Sequence, residues 1–185
     1  MADQGSEGLL SPFLRNRRLK AAKPYISGKV LDVGCGAGHL ADYVEDALYV
    51  GVDIDAESLQ TARLKHPHHN FLSELPPIGH VFNTVVALAV IEHSPDPLHF
   101  LKELSGRLCP GPEGRIICTT PHPSAGWIHK AGASIRLFSW HASEEHKRLL
   151  GRSDFEDMAR ECGLGIAQYR RFLLGVNQLC ILGRL

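Results

Sequence analysis

The run Val30-Leu31-Asp32-Val33-Gly34-Cys35-Gly36-Ala37-Gly38-His39 constrains this chain more than any other stretch. An apolar run leads straight into three alternate glycines, and a second apolar run, Val50-Gly51-Val52, ends in Asp53. Strand, glycine turn, crossover, strand and carboxylate is the order of a βαβ unit that holds a nucleoside. Glycine lacks the Cβ that would keep a ligand off the backbone. A carboxylate about 20 residues beyond the turn can accept hydrogen bonds from both hydroxyls of a ribose.

The spacing narrows the kind of nucleoside. A dinucleotide pattern places glycines at the first, third and sixth positions, but the sixth position counted from Gly34 is His39. Asp32 stands two residues before the first glycine, where a carboxylate opposes a pyrophosphate and suits a cationic group. The pattern therefore points to a ligand with a ribose and a positive charge, and away from a nicotinamide dehydrogenase. A buried capping carboxylate is the other reading of Asp32. With these residues the chain resembles the class I S-adenosylmethionine-dependent methyltransferases, whose first motif reads like residues 31–38 and whose second ends in an acid like Asp53. The resemblance runs on through Ile91-Glu92-His93-Ser94-Pro95-Asp96-Pro97, Leu108-Cys109-Pro110-Gly111, Gly114-Arg115-Ile116-Ile117 and Thr120-Pro121. It covers nearly the whole chain from residue 11 and is nearest to small-molecule enzymes of the ubiquinone- and methionine-biosynthesis types.

The resemblance implies S-adenosylmethionine as cofactor and S-adenosylhomocysteine as product. It implies a cofactor site made of Asp32, Gly34, Cys35, Gly36, Gly38, Asp53, Ile54, Ser73, Glu74 and Ala89. Two departures stand out. The loop after the third strand reads Phe71-Leu72-Ser73-Glu74-Leu75, so Ser73 or Glu74 replaces the usual aspartate toward the adenine, and the usual Phe-Asp before the fourth strand is Phe82-Asn83. These departures leave open a second reading, a cofactor-binding subunit that has lost turnover and acts in a complex.

Hydrophobic periodicity and breaker residues predict an α/β fold. Strands are expected at 29–33, 48–53, 70–72, 81–88, 115–119, 165–172 and 178–182. Helices are expected at 11–23, 38–46, 56–65 and 97–108, and a last one is opened by Ser153 with Glu156 as a capping box. This alternation makes a doubly wound, mostly parallel seven-stranded sheet, Rossmann-like, with one antiparallel strand near the C-terminus. Residues 1–185 read as one domain, with 1–10 a disordered tail and 121–151 a loop-rich insertion on the substrate side, expected to act as a lid. The first helix carries Arg15, Arg17, Arg18, Lys20 and Lys23, read as a solvated face beside an apolar stripe or as an anion-binding surface.

The 20 basic and 20 acidic residues balance, so no global field favours nucleic acid or acidic membranes. Five scattered cysteines without a close pair read as reduced thiols. No apolar run is long enough to span a bilayer, and a cytoplasmic enzyme acting on a small-molecule acceptor is expected. Methyl transfer needs mainly in-line positioning, with a base only where the acceptor must lose a proton. His93, His122 and His146 are the candidate catalytic groups, with His141 a further candidate. His93 is alternatively half of a local polar pair with Glu92, or a contact in the cofactor region. His122, His129, His141 and His146 lack metal-ligand spacing, so no metal is expected. Trp127, Phe138 and Trp140 form either a small core beneath the insertion or an aromatic pocket wall.

Overall fold

A computed structural model describes residues 11–125 and 149–184. Its strands are β1 (Val30–Val33), β2 (Tyr49–Val52), β3 (Asn70–Leu72), β4 (Thr84–Leu88), β5 (Arg115–Pro121), β6 (Leu164–Phe172) and β7 (Asn177–Arg184). The described α-helices are α1 (Ser11–Ala22), α2 (Ala56–Lys65), α3 (Pro97–Ser105) and α4 (Arg152–Glu161). The strands form one sheet in the order β3-β2-β1-β4-β5-β7-β6. Among the described strands β7 alone runs opposite to the rest, pairing antiparallel with both β5 and β6, as the missing helix between the last two strands predicts.

The period of two along each strand sends alternate residues to opposite layers. Leu31, Val33, Val85, Ala87 and Ile116 pack with Leu101 and Leu104 of α3 and with Phe155 and Ala159 of α4. Val30, Val86 and Ile117 pack on the other face with Leu19 and Ala22 of α1 and with Leu59 and Ala62 of α2. The order of connection reverses at β1, which pairs with both β2 and β4. In such sheets a crevice opens at that reversal, beyond the carboxyl ends of the strands.

Local signals place several elements well. Asp55 caps α2 by accepting from Ser58 N (3.0 Å), and Asp96 caps α3 by accepting from His99 N (2.9 Å). Other expectations need correction. No α-helix forms over 38–46. The crossover is made instead of two 3-10 turns, Ala41–Tyr43 and Asp46–Leu48. Gly38 sits at φ +75° and Val44 is extended at φ −130°, so a helix is interrupted at both ends before it can propagate. The cap of α4 is also two residues earlier than expected. Gly151 N donates to the Asp154 carboxylate (2.7 Å), while Glu156 accepts from Arg152 (2.8 Å) on the helix surface. The expected tail 1–10 and nearly all of the insertion, at 126–148, lie outside the described residues.

Gly51 of β2 shows how tightly the sheet is filled beside the glycine turn. A Cβ there would lie 2.7 Å from the Phe71 ring, 2.9 Å from the Tyr49 hydroxyl and 3.0 Å from Cys35 Sγ. Overpacking of this kind costs about 1–3 kcal/mol. Gly51→Ala is expected to lower the unfolding free energy by that amount, seen in urea unfolding as a lower midpoint at an unchanged slope.

Candidate functional site

The turn after β1 is fastened to the end of β2. Gly34 N and Cys35 N both donate to Val52 O (2.8 and 3.1 Å). Gly36 N donates to Asp53 Oδ2 (2.7 Å), and Asp55 N donates to Asp53 Oδ1 (2.9 Å). Asp53 thus joins the glycine turn to the start of α2. Each carboxylate oxygen uses one backbone donor and keeps a further acceptor site.

A cavity of about 360 Å³ opens over this turn, at the carboxyl ends of β1 and β4. Asp32, Gly34, Cys35 and Gly36 line one side, Leu88 and Ala89 at the end of β4 another, and Arg15, Arg18 and Leu19 of α1 cover it. Gly34 has φ +71°, and a Cβ on it would meet Val90 at 2.4 Å. Gly36 has φ +52°, and a Cβ there would meet nothing within 4 Å, which leaves the turn open to a close-approaching ligand. Ala89 also holds a left-handed conformation, φ +60°, with its N donating to Thr119 O (2.7 Å). A strained non-glycine residue at a strand end is characteristic of functional sites.

Asp32 is 4% exposed, and Tyr49 donates its hydroxyl to Asp32 Oδ2 (2.8 Å). Burial pushes the Asp32 carboxyl up to about 7, against the pull of the Tyr49 bond and with help from the nearby Asp53 charge. The Cys35 thiol is held well above its ordinary range by burial and by the neighbouring carboxylates. It is a neutral wall of the cavity.

Two cations on one face of α1 oppose these acids. Arg15 and Arg18 are three residues apart, hence neighbours on the helix surface. Arg15 Nη1 donates to His39 Nε2 (2.5 Å), which requires that nitrogen to be unprotonated. Arg18 Nε donates to Asn177 Oδ1 (3.2 Å). Burial lowers the Arg18 pKa from its ordinary value while Glu92 raises it. The solvated-face reading of the basic helix is therefore corrected for these two residues. Their spacing was the available signal.

Several expected site residues do not line this cavity. Gly38 packs instead on α2 and β3, where its Cβ would meet His66 and Phe71 at 3.1 Å. Ile54 beside Asp53 is 96% exposed, and Ser73 and Glu74 are exposed after β3. Asn83 accepts from Lys29 N (2.9 Å) at the amino ends of β1 and β4, the opposite end of the sheet from the cavity. Its departure from the family pattern is structural and does not touch a cofactor site.

His93 is exposed on the 3-10 turn Ile91–His93. His122 follows β5, and its Nδ1 accepts from Ser124 N (3.1 Å), so Nε2 carries the proton. Partial burial and the Arg171 charge hold His122 below its ordinary value. Neither histidine lines the cavity. His146, with His129, His141, Trp127, Phe138 and Trp140, lies outside the described residues. Among the described residues no group of His, Cys, Asp and Glu side chains could hold a metal ion, and no helix is long and apolar enough to cross a membrane.

Residues 9–169 match the family described as a methyltransferase domain. The chain belongs to this family, and with it to the class I S-adenosylmethionine-dependent methyltransferases. Among its relatives, a ubiquinone biosynthesis O-methyltransferase of Neisseria meningitidis is 29% identical over 157 residues, covering 75% of this chain and 64% of the relative. One from Dinoroseobacter shibae is 33% identical over 114 residues, covering 56% and 45%. The chain thus spans less than two thirds of the length of these curated relatives. Magnesium protoporphyrin IX methyltransferase of Synechocystis, solved with S-adenosylhomocysteine, superposes with a TM-score of 0.72 at 16% identity, covering 99% of this chain and 90% of that one. A possible histamine N-methyltransferase of Thermotoga maritima gives 0.73 at 17%, covering 96% and 92%. These two share the fold.

The Asp32 carboxyl predicts how stability depends on pH. Its folded-state pKa is raised from 3.8 to about 7. The cost of ionising it in the core is absent below about pH 4, grows through the interval up to about pH 7 and is complete above it. Asp32→Asn keeps an oxygen for Tyr49 and removes that cost. Its melting temperature is expected to exceed that of the wild type at pH 8, with the gap narrowing toward pH 4.5, as checked by calorimetric scans.

Proposed function

We propose that this chain transfers a methyl group from S-adenosylmethionine to a hydroxyl of a small-molecule acceptor. The observation that carries the reading is the charge arrangement of the cavity. A buried carboxylate, Asp32, sits across an open glycine turn from two guanidinium groups, Arg15 and Arg18. An amino-acid end with one ammonium and one carboxylate fits that arrangement, with the ammonium at Asp32 and the carboxylate at the arginines. The remaining acceptor sites of Asp53 suit the ribose hydroxyls, and the open face of Gly36 admits the ligand backbone-close. Exposed Ile54 offers apolar cover for the adenine, and Ser73 and Glu74 offer polar contacts at its edge.

The sulfonium supplies the methyl group and its own leaving group. The protein's share is to bind, orient and exclude water. The assignment of the acceptor atom to oxygen rests on the O-methyltransferase names of the relatives. A hydroxyl acceptor must lose a proton, and His93, four residues beyond the Ala89 wall, is the assigned base among the described residues. His122 in its present tautomer has no free nitrogen to receive one.

The test has two parts. Incubation with methyl-labelled S-adenosylmethionine and a panel of small phenols and catechols is expected to transfer label to an acceptor hydroxyl. Cofactor bound without turnover on any acceptor would argue instead for a silent binding subunit. Asp53→Ala removes charge-assisted hydrogen bonds worth about 1.5–3 kcal/mol each. By titration calorimetry it is expected to weaken S-adenosylhomocysteine at least tenfold with the circular dichroism spectrum retained. Unchanged affinity would overturn the ribose assignment.

A further inference from the structure

Tyr49 opens β2 and pairs in register with Val30, while Gly51 pairs with Asp32. Tyr49 and Gly51 are two apart, so they share a face of the sheet. The glycine opposite Asp32 leaves the space through which the tyrosine hydroxyl reaches the carboxylate, since that hydroxyl lies 2.9 Å from where a Gly51 Cβ would be. The Tyr49 ring is clamped edge-on by His69 (5.4 Å between centroids) and Phe71 (5.6 Å), and the residue is 1% exposed. A phenylalanine would fill the same ring space without burying a hydroxyl. A buried hydroxyl costs free energy unless it is bonded, and here its bond is spent on Asp32 (2.8 Å).

We propose that Tyr49 is a positioning residue for cofactor binding, whose hydroxyl orients the Asp32 carboxylate from inside the core and holds it ionised for the cofactor ammonium. The proposal rests on the reading of Asp32 as the ammonium site. A hydrogen bond donated to a carboxylate favours its charged form, and burial opposes it. Among the described residues the other groups around the pair are few. Asp53 at the end of β2 acts against ionisation of Asp32. Cys35 on the turn is a neutral thiol. Arg63 of α2 donates to Phe71 O (2.8 Å). His69, edge-on to the Tyr49 ring, donates Nε2 to Val44 O (3.0 Å). From α1, Arg15 and Arg18 face Asp32 across the cavity, with His39 beside Arg15. With the Asp32 carboxyl near 7 in the free protein, the Tyr49 bond decides how much of it is charged at neutral pH.

The experiment is titration calorimetry of S-adenosylhomocysteine between pH 5.5 and 8.5 on the full chain, for the wild type, Tyr49→Phe and Asp32→Asn. Wild-type affinity is expected to level off above pH 8 and to weaken about tenfold per pH unit well below 7, as one proton must leave Asp32 on binding. Tyr49→Phe is expected to move this fall to higher pH, binding several-fold more weakly at pH 7 and converging on the wild type toward pH 8.5. A merely structural defect would weaken binding at every pH. 5′-Methylthioadenosine, which lacks the amino-acid end, is expected to bind wild type and Tyr49→Phe alike. Curves for wild type and Tyr49→Phe that superimpose, with Asp32→Asn weakened, would overturn the role of Tyr49 and leave the ammonium site standing. Unchanged affinity in Asp32→Asn would overturn the ammonium site and this proposal with it. If Tyr49→Phe fails to fold, Tyr49→3-fluorotyrosine, a stronger donor in the same ring, is expected to move the fall to lower pH. A fall that stays where it is in the wild type would overturn the proposal.

Discussion

β1 is four residues long, buried throughout and paired along both edges, and the rest of the molecule is arranged around that enclosure. A strand so placed has no solvent of its own. Any polar side chain on it must be satisfied from within the core or by something that enters at its carboxyl end. Asp32 is that side chain. Tyr49 meets one of its oxygens from inside, and the cavity beneath α1 is the opening on the other side. The core therefore pays for a carboxylate that an apolar residue would make unnecessary, which is the usual sign of a stability cost kept for function.

The glycine turn follows from the same enclosure. The chain leaving β1 must clear β4 on one side and return over β2 on the other. Gly34 passes where a side chain would strike Val90, and the turn is then tied down by Val52 O and Asp53. Asp53 is at once a structural clip and a half-buried acceptor, so binding and local order are coupled in one carboxylate. The two short 3-10 turns that replace a crossover helix leave this clip and the α1 cover as the main supports of the cavity.

Much of this was legible in the chain because the rules involved are local. The alternation of apolar residues, the capping aspartates at 55 and 96 and the breaks at glycine and proline each act over a few neighbours, and the strands and the helices α2 and α3 came out close to expectation. The lone antiparallel strand was legible too, because no helix separates the last two strands. The helix expected over 38–46 failed because backbone conformation at Gly38 and Val44 outweighed the propensity of the residues between them. The cap of α4 was misplaced because two acids, Asp154 and Glu156, compete for one role, and which one reaches an open N–H depends on where the chain arrives from residue 149 onward.

The sequence by itself determined the doubly wound sheet, the glycine turn and the carboxylate at the end of β2, since spacing along one chain is enough to specify each. Only the tertiary structure decided which side chains face the cavity. Arg15 and Arg18 read either as a solvated face or as an anion-binding pair until α1 is laid across the ends of β1 and β4. Asn83 reads as a departure bearing on the cofactor site until its place at the far end of the sheet is known. Tyr49 carries no signal at all until strand register sets Gly51 opposite Asp32 and leaves room for its hydroxyl. These are contacts between residues far apart in the chain, and side-chain direction and register are set by how whole layers pack rather than by any neighbouring residue.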